Sequence, residues 1–206
     1  QKVGNYATGV FDAGATEIAA FDPATDHLFS VNGSTGNIDV LDISDVTNPV
    51  LSFTIDLSPY GGGANSVAFF NGVLVAAVED TIKQNNGKAV FFDGNGNYIN
   101  DVEVGALPDM VCFTPNGKKV LVANEGEPSD DYLVDPMGTV SIISMLDGAA
   151  AIDNGDVTNV NFSAYDATVF TDGTRVFGPG AVASTDFEPE YISVSKNSKF
   201  AYVTLQ

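Results

Sequence analysis

The sequence predicts an all-β protein made of four-stranded antiparallel blades, which is the architecture of a β-propeller. A pair of apolar strands joined by a polar turn occurs four times, at 17–31, 66–78, 109–123 and 190–204. The first three pairs start 49 and 43 residues apart, and known propeller blades are about 40–50 residues long. Glycine is abundant, with 21 residues, as a fold with many tight turns requires.

The first blade is expected at about 15–57, where Asp22 and Pro23 open the turn between its first two strands. The polar loop at 44–49 separates its last two strands. The second blade is expected at about 63–105, and the pair Asn71-Gly72 is a strong hairpin signal inside it. The eight strands are predicted near 18–21, 28–31, 37–43, 50–57, 67–70, 73–78, 88–92 and 98–104.

The third blade is expected at about 106–162, with a turn at 114–117 that contains Pro115 and Gly117. Its strands are predicted near 110–113, 119–123, 139–144 and 158–162. An insertion at 163–187 follows, with a turn around Gly178 and Pro179.

The last unit, at 187–206, contains only two strands. We therefore expect part of a propeller, with about three and a half blades. The apolar strand at 200–203 should contact the remaining blades of the propeller or another copy of the chain, because uncovered sheet flanks attract partners. An antiparallel sandwich of similar strands is the structural alternative.

The chain is strongly acidic, with 27 Asp and Glu residues, 8 Lys and Arg residues and a formal net charge of −19. Such a surface repels polyanions, which argues against nucleic-acid binding. The charge favours either solubility in an extracellular medium or the binding of divalent cations. No stretch is long and apolar enough to span a membrane, and the sequence contains no signal peptide. Cys112, in an apolar strand, is expected to be a buried hydrophobic residue.

Carboxylates are predicted to gather on one rim of the propeller. The starts of the first strands, at Glu17, Ser66, Asp109 and Glu190, lie on the same face as the loops that follow the second strands. The longest acidic loop follows the second strand of the third unit. Convergent carboxylate oxygens are what calcium prefers, whereas the alternative is an acidic rim that only contacts water. The predicted metal ligands are Glu17, Asp109, Glu125, Glu127, Asp130, Asp131 and Glu190.

Two other motifs do not support a site. The segment that starts at Asp93 begins like an EF-hand loop, but its sixth residue is Tyr98 and its twelfth is Val104, where that loop needs Gly and Glu. A hairpin turn is the better interpretation. His27 is the only histidine, so a zinc site with several histidines is excluded. Any Ser-His-Asp triad would have to use His27 itself.

Five strings together resemble the choice-of-anchor I family of secreted bacterial proteins, which is related to the mesenchyme-specific cell-surface glycoproteins of biomineralising animals. The resemblance covers nearly the whole chain. The strings are GGGANSVA at 61–68, LPDM at 107–110, VLVANEGEPSDDY at 120–132, EPEYI at 188–192 and AYVTLQ at 201–206.

The resemblance implies a seven-bladed type of propeller, export, and attachment to the cell surface by variable C-terminal anchors. In such proteins the chain continues past the last string into further blades. Some relatives carry an alkaline-phosphatase label, but no catalytic motif behind that label can be mapped onto this sequence.

Two functions are therefore expected. The first is a secreted or cell-surface scaffold without catalytic activity that binds a divalent cation, with Ca²⁺ as the candidate cofactor, or an extracellular surface or matrix component. The second is an alkaline-phosphatase-like, metal-dependent hydrolase whose site needs further blades.

Overall fold

The computed structural model describes residues 2–177 and 180–206, so the turn predicted at Gly178 and Pro179 lies outside the described residues. The prediction of an all-β protein is confirmed, since strands dominate the described chain and helix is limited to short turns. Within the described ranges, no helix combines the length and the apolar character needed to cross a membrane.

Sheets I and II each contain four antiparallel strands in chain order. Sheet I consists of β1 to β4, which span Ala19–Asp22, His27–Asn32, Asn37–Asp42 and Val50–Ile55. Sheet II consists of β5 to β8, which span Gly63–Phe70, Val73–Glu79, Asn86–Asp93 and Tyr98–Ala106.

Sheet III also has four antiparallel strands, whereas sheet IV has two. The strands of sheet III, β9 to β12, span Pro108–Phe113, Lys119–Asn124, Thr139–Ser144 and Val157–Asn161. Sheet IV consists of β13 and β14, which span Pro189–Val194 and Ala201–Leu205. The segment between sheets III and IV includes a 3₁₀ turn at Ser163–Tyr165 and one turn of α-helix, α1, at Ala183–Asp186.

The four sheets pack face to face in chain order, with one apolar layer between each neighbouring pair. The first strands of neighbouring sheets, β1 with β5, β5 with β9 and β9 with β13, contact one another. The starts of these strands therefore lie close together, which is the arrangement around the axis of a propeller.

Sheet II shows why the apolar runs are nearly continuous. Along β6, Leu74, Ala76 and Val78 pack against sheet I, while Val75 and Ala77 pack against sheet III. Since side chains on a strand alternate between its two faces, a strand that is covered on both faces must be apolar throughout. All five of these side chains are fully buried.

The outer face of sheet IV is not covered in this way. The large apolar side chains exposed on it are Tyr191 and Tyr202, and the exposed Phe200 directly precedes β14. This face includes the strand for which a contact with further blades or with another copy was expected, and that contact stays a prediction.

Candidate functional site

A β-bulge opens the first strand of three sheets and sets the direction of one polar side chain each time. The strand pairings skip Asn65 in β5, Asp109 in β9 and Glu190 in β13. The residue at the same position before β1 is Glu17, whose N–H donates to the Val31 carbonyl at 3.1 Å. Bulges re-aim side chains and are frequent next to functional sites.

Glu125 reaches the same region from the end of a second strand. It directly follows β10, and its N–H donates to the Leu107 carbonyl, next to the start of β9, at 2.9 Å. The next residue, Gly126, has φ +72°, and a Cβ there would lie 2.7 Å from the backbone carbonyl of Met137. Only glycine fits this close backbone approach, so Gly126 fixes the path of the chain after Glu125.

These carboxylates are near enough to disfavour each other's ionisation. Burial and the charges of Asp109, Glu127, Glu188 and Glu190 raise the pKa of the half-buried Glu125 to about 7. A carboxylate with neighbours of its own sign and little access to water is hard to ionise. A cationic ligand would relieve this cost. We call the group of Glu17, Asp109, Glu125, Glu127 and Glu190 the acidic rim.

Asp109 responds to the same environment. Burial raises the pKa of its carboxyl, and the negative charges of Glu190, Glu127 and Glu17 add to the increase. Glu17 and Glu190 are themselves exposed. The acidic rim therefore combines half-buried carboxyls near the axis with exposed ones around them.

Two predicted ligands lie in the loop beyond the acidic rim. Asp131 Oδ1 accepts hydrogen bonds from Ser129 Oγ at 2.8 Å and from the Leu133 N–H at 3.1 Å, and these bonds lower its pKa. Asp130 and Asp131 also line an open depression together with Lys83. Asp131 is thus engaged in shaping its own loop.

The turn interpretation of the segment at Asp93 is confirmed. Asp93 Oδ1 accepts hydrogen bonds from the N–H groups of Asn95 at 2.8 Å and Asn97 at 2.9 Å, and Gly96 has φ +78°. The carboxylate is therefore used to close the hairpin between β7 and β8.

Across residues 2–177 and 180–206, no three His, Cys, Asp or Glu side chains come together closely enough to hold a metal ion. The acidic rim is accordingly a region of converging negative charge without a preformed coordination shell. Such a region suits a cation that keeps part of its water shell, or a cationic group that touches several carboxylates.

Two polar residues of this region were missed at the level of sequence. Aligning the units on the buried residues Val67, Val111 and Ile192 places Asn65, not Ser66, at the bulge. Ser66 is buried, and its Oγ accepts a hydrogen bond from the Val111 N–H at 3.3 Å. The other residue is Glu188, just before β13, which contributes to the raised pKa of Glu125.

The comparisons with known proteins agree with this architecture. The family model of the choice-of-anchor I domain matches residues 17–206. A search of curated proteins found no match.

Solved structures with a similar fold include hydrazine synthase from Kuenenia stuttgartiensis, with a TM-score of 0.55 and 14% identity over 91% of this chain and 61% of that chain. A protein from Lactobacillus plantarum has a TM-score of 0.58 and 15% identity over 93% of this chain and 50% of that chain. At such low identity these similarities show a propeller-like fold alone. This chain spans about half to three fifths of the length of these two structures.

Proposed function

Because the chain belongs to the choice-of-anchor I family, which indicates a surface or secreted protein, we propose that it is a non-catalytic scaffold domain whose acidic rim binds a cation outside the cell. The observation that carries this proposal is the position of Glu125. Its carboxyl is half-buried near four other carboxylates, which come from β9, from the loop after β10, from β13 and from the residue just before β13. A folded protein that maintains such repulsion without a cation loses stability, which is a frequent property of functional sites.

Ca²⁺ is the candidate cation of this proposal. Calcium accepts six to eight oxygen ligands, and some of these can be waters or backbone carbonyls. This flexible geometry tolerates carboxylates that are gathered without forming a compact cage. A basic segment of an extracellular partner is the second candidate ligand, since it would meet the same negative potential.

Calcium titration followed by thermal unfolding tests the proposal. Calcium should raise the unfolding midpoint of the wild-type protein, because a ligand that binds only the folded state stabilises it by about 2.7 kcal/mol at a hundredfold excess over Kd. Glu125→Gln and Asp109→Asn should both reduce this increase. Asp147→Asn, an exposed position outside the acidic rim, is the matched control and should leave it unchanged.

Protons should compete with calcium at Glu125. The pKa of about 7 means that this carboxyl loses affinity for cations as the pH falls through neutrality. Calcium should therefore stabilise the protein more at about pH 8 than at about pH 6. An equal increase in all three variants would show that calcium only screens the net charge, and would contradict a site at the acidic rim.

The phosphatase alternative is tested with the same variants. Turnover of a phosphomonoester that is lost in Glu125→Gln and Asp109→Asn would favour the enzyme over the scaffold. Stabilisation by calcium without turnover would favour the scaffold.

We also propose a partner for the outer face of sheet IV, namely further blades of the same propeller or a second copy of the chain. Three large exposed aromatic side chains at so short a sheet, Tyr191, Phe200 and Tyr202, are typical of a covered surface. Analytical ultracentrifugation of this chain should show self-association that Tyr202→Ser reduces. A wild-type chain that stays monomeric at high concentration would argue against a second copy.

A further inference from the structure

A second cleft lies beside the acidic rim, between the loop after β10 and the segment that precedes sheet IV. Its volume is about 570 Å³. Tyr132 and Phe177 line it, with exposed fractions of 76% and 71%. Its polar lining includes the carboxyl groups of Asp135, Asp186 and Glu188. We call these five residues, with Pro128 and Thr185, the aromatic cleft.

The Tyr132 side of the aromatic cleft is fixed by its own loop. The Tyr132 N–H donates to the Ser129 carbonyl at 2.7 Å, and the Ser129 N–H donates to the Val134 carbonyl at 2.8 Å. Tyr132 has φ +57°, a left-handed conformation that is uncommon for a bulky side chain. An exposed aromatic ring held in this way is prepared for contact with a ligand.

The opposite side is anchored to the scaffold through α1. Ser184 is buried, and its N–H and Oγ donate to Asp166 at 2.8 and 3.0 Å. The Ser184 carbonyl accepts a hydrogen bond from the Gly138 N–H, next to β11, at 3.0 Å. At the end of α1, Asp186 Oδ2 accepts from the Phe177 N–H at 2.8 Å, which ties the second aromatic residue to this wall.

The side chains of the aromatic cleft offer acceptors and negative charge. Burial raises the pKa of Asp135 and Glu188, and the charge of Asp186 adds to the increase at both. Within the described ranges the one salt bridge joins Lys88 to Asp101, so none of these three carboxyls forms a salt bridge there. A neutral sugar would leave this charge uncompensated, whereas an ammonium or guanidinium group supplies both hydrogen-bond donors and positive charge.

We infer that the aromatic cleft binds a Lys or Arg side chain of an extracellular partner protein, with the alkyl stem against the Tyr132 ring and the cationic head among the carboxylates. Aromatic faces attract such cations. The Phe177 ring already has a cationic neighbour, since the Arg175 guanidinium carbon lies 5.3 Å from its centre, so Tyr132 provides the aromatic contact for the incoming side chain. This site differs from the acidic rim, because it needs neither Asp109 nor Glu125.

The test is an NMR titration with a five-residue peptide that contains one central Lys between Gly and Ser residues and has blocked ends. Saturable shifts are expected at the amide signals of Tyr132 and Thr185, with a Kd in the millimolar range or below. The same peptide with an acetylated Lys should cause no saturable shift, because acetylation removes the charge. An equal response to both peptides would overturn the inference.

Two pairs of variants locate the contact. Tyr132→Ala should weaken binding at least about threefold, whereas Leu133→Ala, an adjacent exposed residue, should not. Asp186→Asn should weaken it by a similar factor or more, whereas Asp147→Asn should not. Tyr132→Ala removes no charge and should leave the calcium-dependent increase in the unfolding midpoint unchanged, so this inference can fail while the proposed cation site at the acidic rim stands, and the reverse. Equal weakening by members and controls would mean that the peptide binds the acidic surface in general, which would refute a specific cleft.

Discussion

The ends of β2 and β10 occupy the same position in sheets I and III, yet they are stabilised differently. Asn32 Nδ2 donates to Asp39 Oδ2 at 2.8 Å, and its Oδ1 accepts from the Ser34 N–H at 3.2 Å. Asn124 Nδ2 donates to Ser141 Oγ at 2.8 Å. Its Oδ1 is buried without a partner, which applies to no other buried side-chain N or O atom in the described part of the chain.

The residue that follows each asparagine decides where the nearby carboxylate comes from. After Asn32 the chain continues with Gly33, and a Cβ there would lie 3.0 Å from Glu17 Oε1. After Asn124 the chain continues with Glu125, which carries the carboxyl itself. The same strand end thus lies next to an acidic side chain in both sheets. In sheet I this side chain is Glu17, from the segment before β1, and in sheet III it is Glu125, which directly follows the strand.

The largest effect is expected from removing Asp39, which is buried. Its oxygens accept hydrogen bonds from Asn32 Nδ2 and from Thr54 Oγ1 at 2.9 Å. Asp39→Ala leaves both donors without this acceptor and should lower the free energy of unfolding by about 2–4 kcal/mol. Urea unfolding measures this change. Asp39→Asn, which keeps one acceptor, should cost less, and an equal loss in both variants would contradict the role of the hydrogen bonds.

Glu125→Gln should change the free energy of unfolding in the opposite direction, by raising it. The folded-state pKa of about 7 lies above the ordinary value of 4.5, so ionising Glu125 costs stability above pH 7, and this cost disappears as the pH falls below about 4.5. The substitution should therefore stabilise the protein by about 1–2 kcal/mol at about pH 8, after allowing for solvent screening of a half-buried group. Unfolding curves of the wild-type protein and the variant at about pH 8 and about pH 4 measure this difference. A benefit that persists unchanged at about pH 4 would point to a cause other than charge.

Ser141→Ala should lower the free energy of unfolding less than Asp39→Ala does. Asn124 Nδ2 keeps the Thr139 carbonyl at 3.3 Å and Thr139 Oγ1 at 3.1 Å as acceptors. The substitution also removes the hydrogen bond that Ser141 Oγ donates to Asn159 Oδ1 at 2.6 Å, but Asn159 is exposed and can bind water instead. The expected loss is therefore about 1 kcal/mol. Urea unfolding alongside Asp39→Ala gives the comparison, and a loss as large as that of Asp39→Ala would mean that these alternatives do not compensate.

The smallest expected effect is on the pKa of Asp109, which neighbouring carboxylates raise. Glu190 contributes more to its raised pKa than Glu17 does. Glu190→Gln should therefore lower the pKa of Asp109 more than Glu17→Gln. NMR titration of the Asp109 carboxyl carbon gives this order directly, and the reverse order would mean that Glu17 affects Asp109 more strongly than its position in the structure implies.

The strands and their turns could be predicted because they depend on local patterns. Alternating and continuous apolar runs, together with turns such as Asn71-Gly72, predicted the β-strands without long-range information. Strand direction also led to the prediction that Asp109, Glu125 and Glu190 lie on one rim. The bulges could not be predicted, because the extra residue depends on how two strands pair; this is why Ser66 was expected where Asn65 lies.

The sequence by itself determined an acidic, all-β repeat protein, since composition and apolar periodicity are properties of each segment. The family was indicated separately, by the resemblance of five strings to the choice-of-anchor I family. Only the tertiary structure decided which carboxyls have their pKa raised by burial and by neighbouring charges. Glu125 and Asp109 have raised pKa values because packing removes water and brings charges from other strands near them. Asp131, in the same acidic string as Glu125, has a lowered pKa because its own loop donates hydrogen bonds to it.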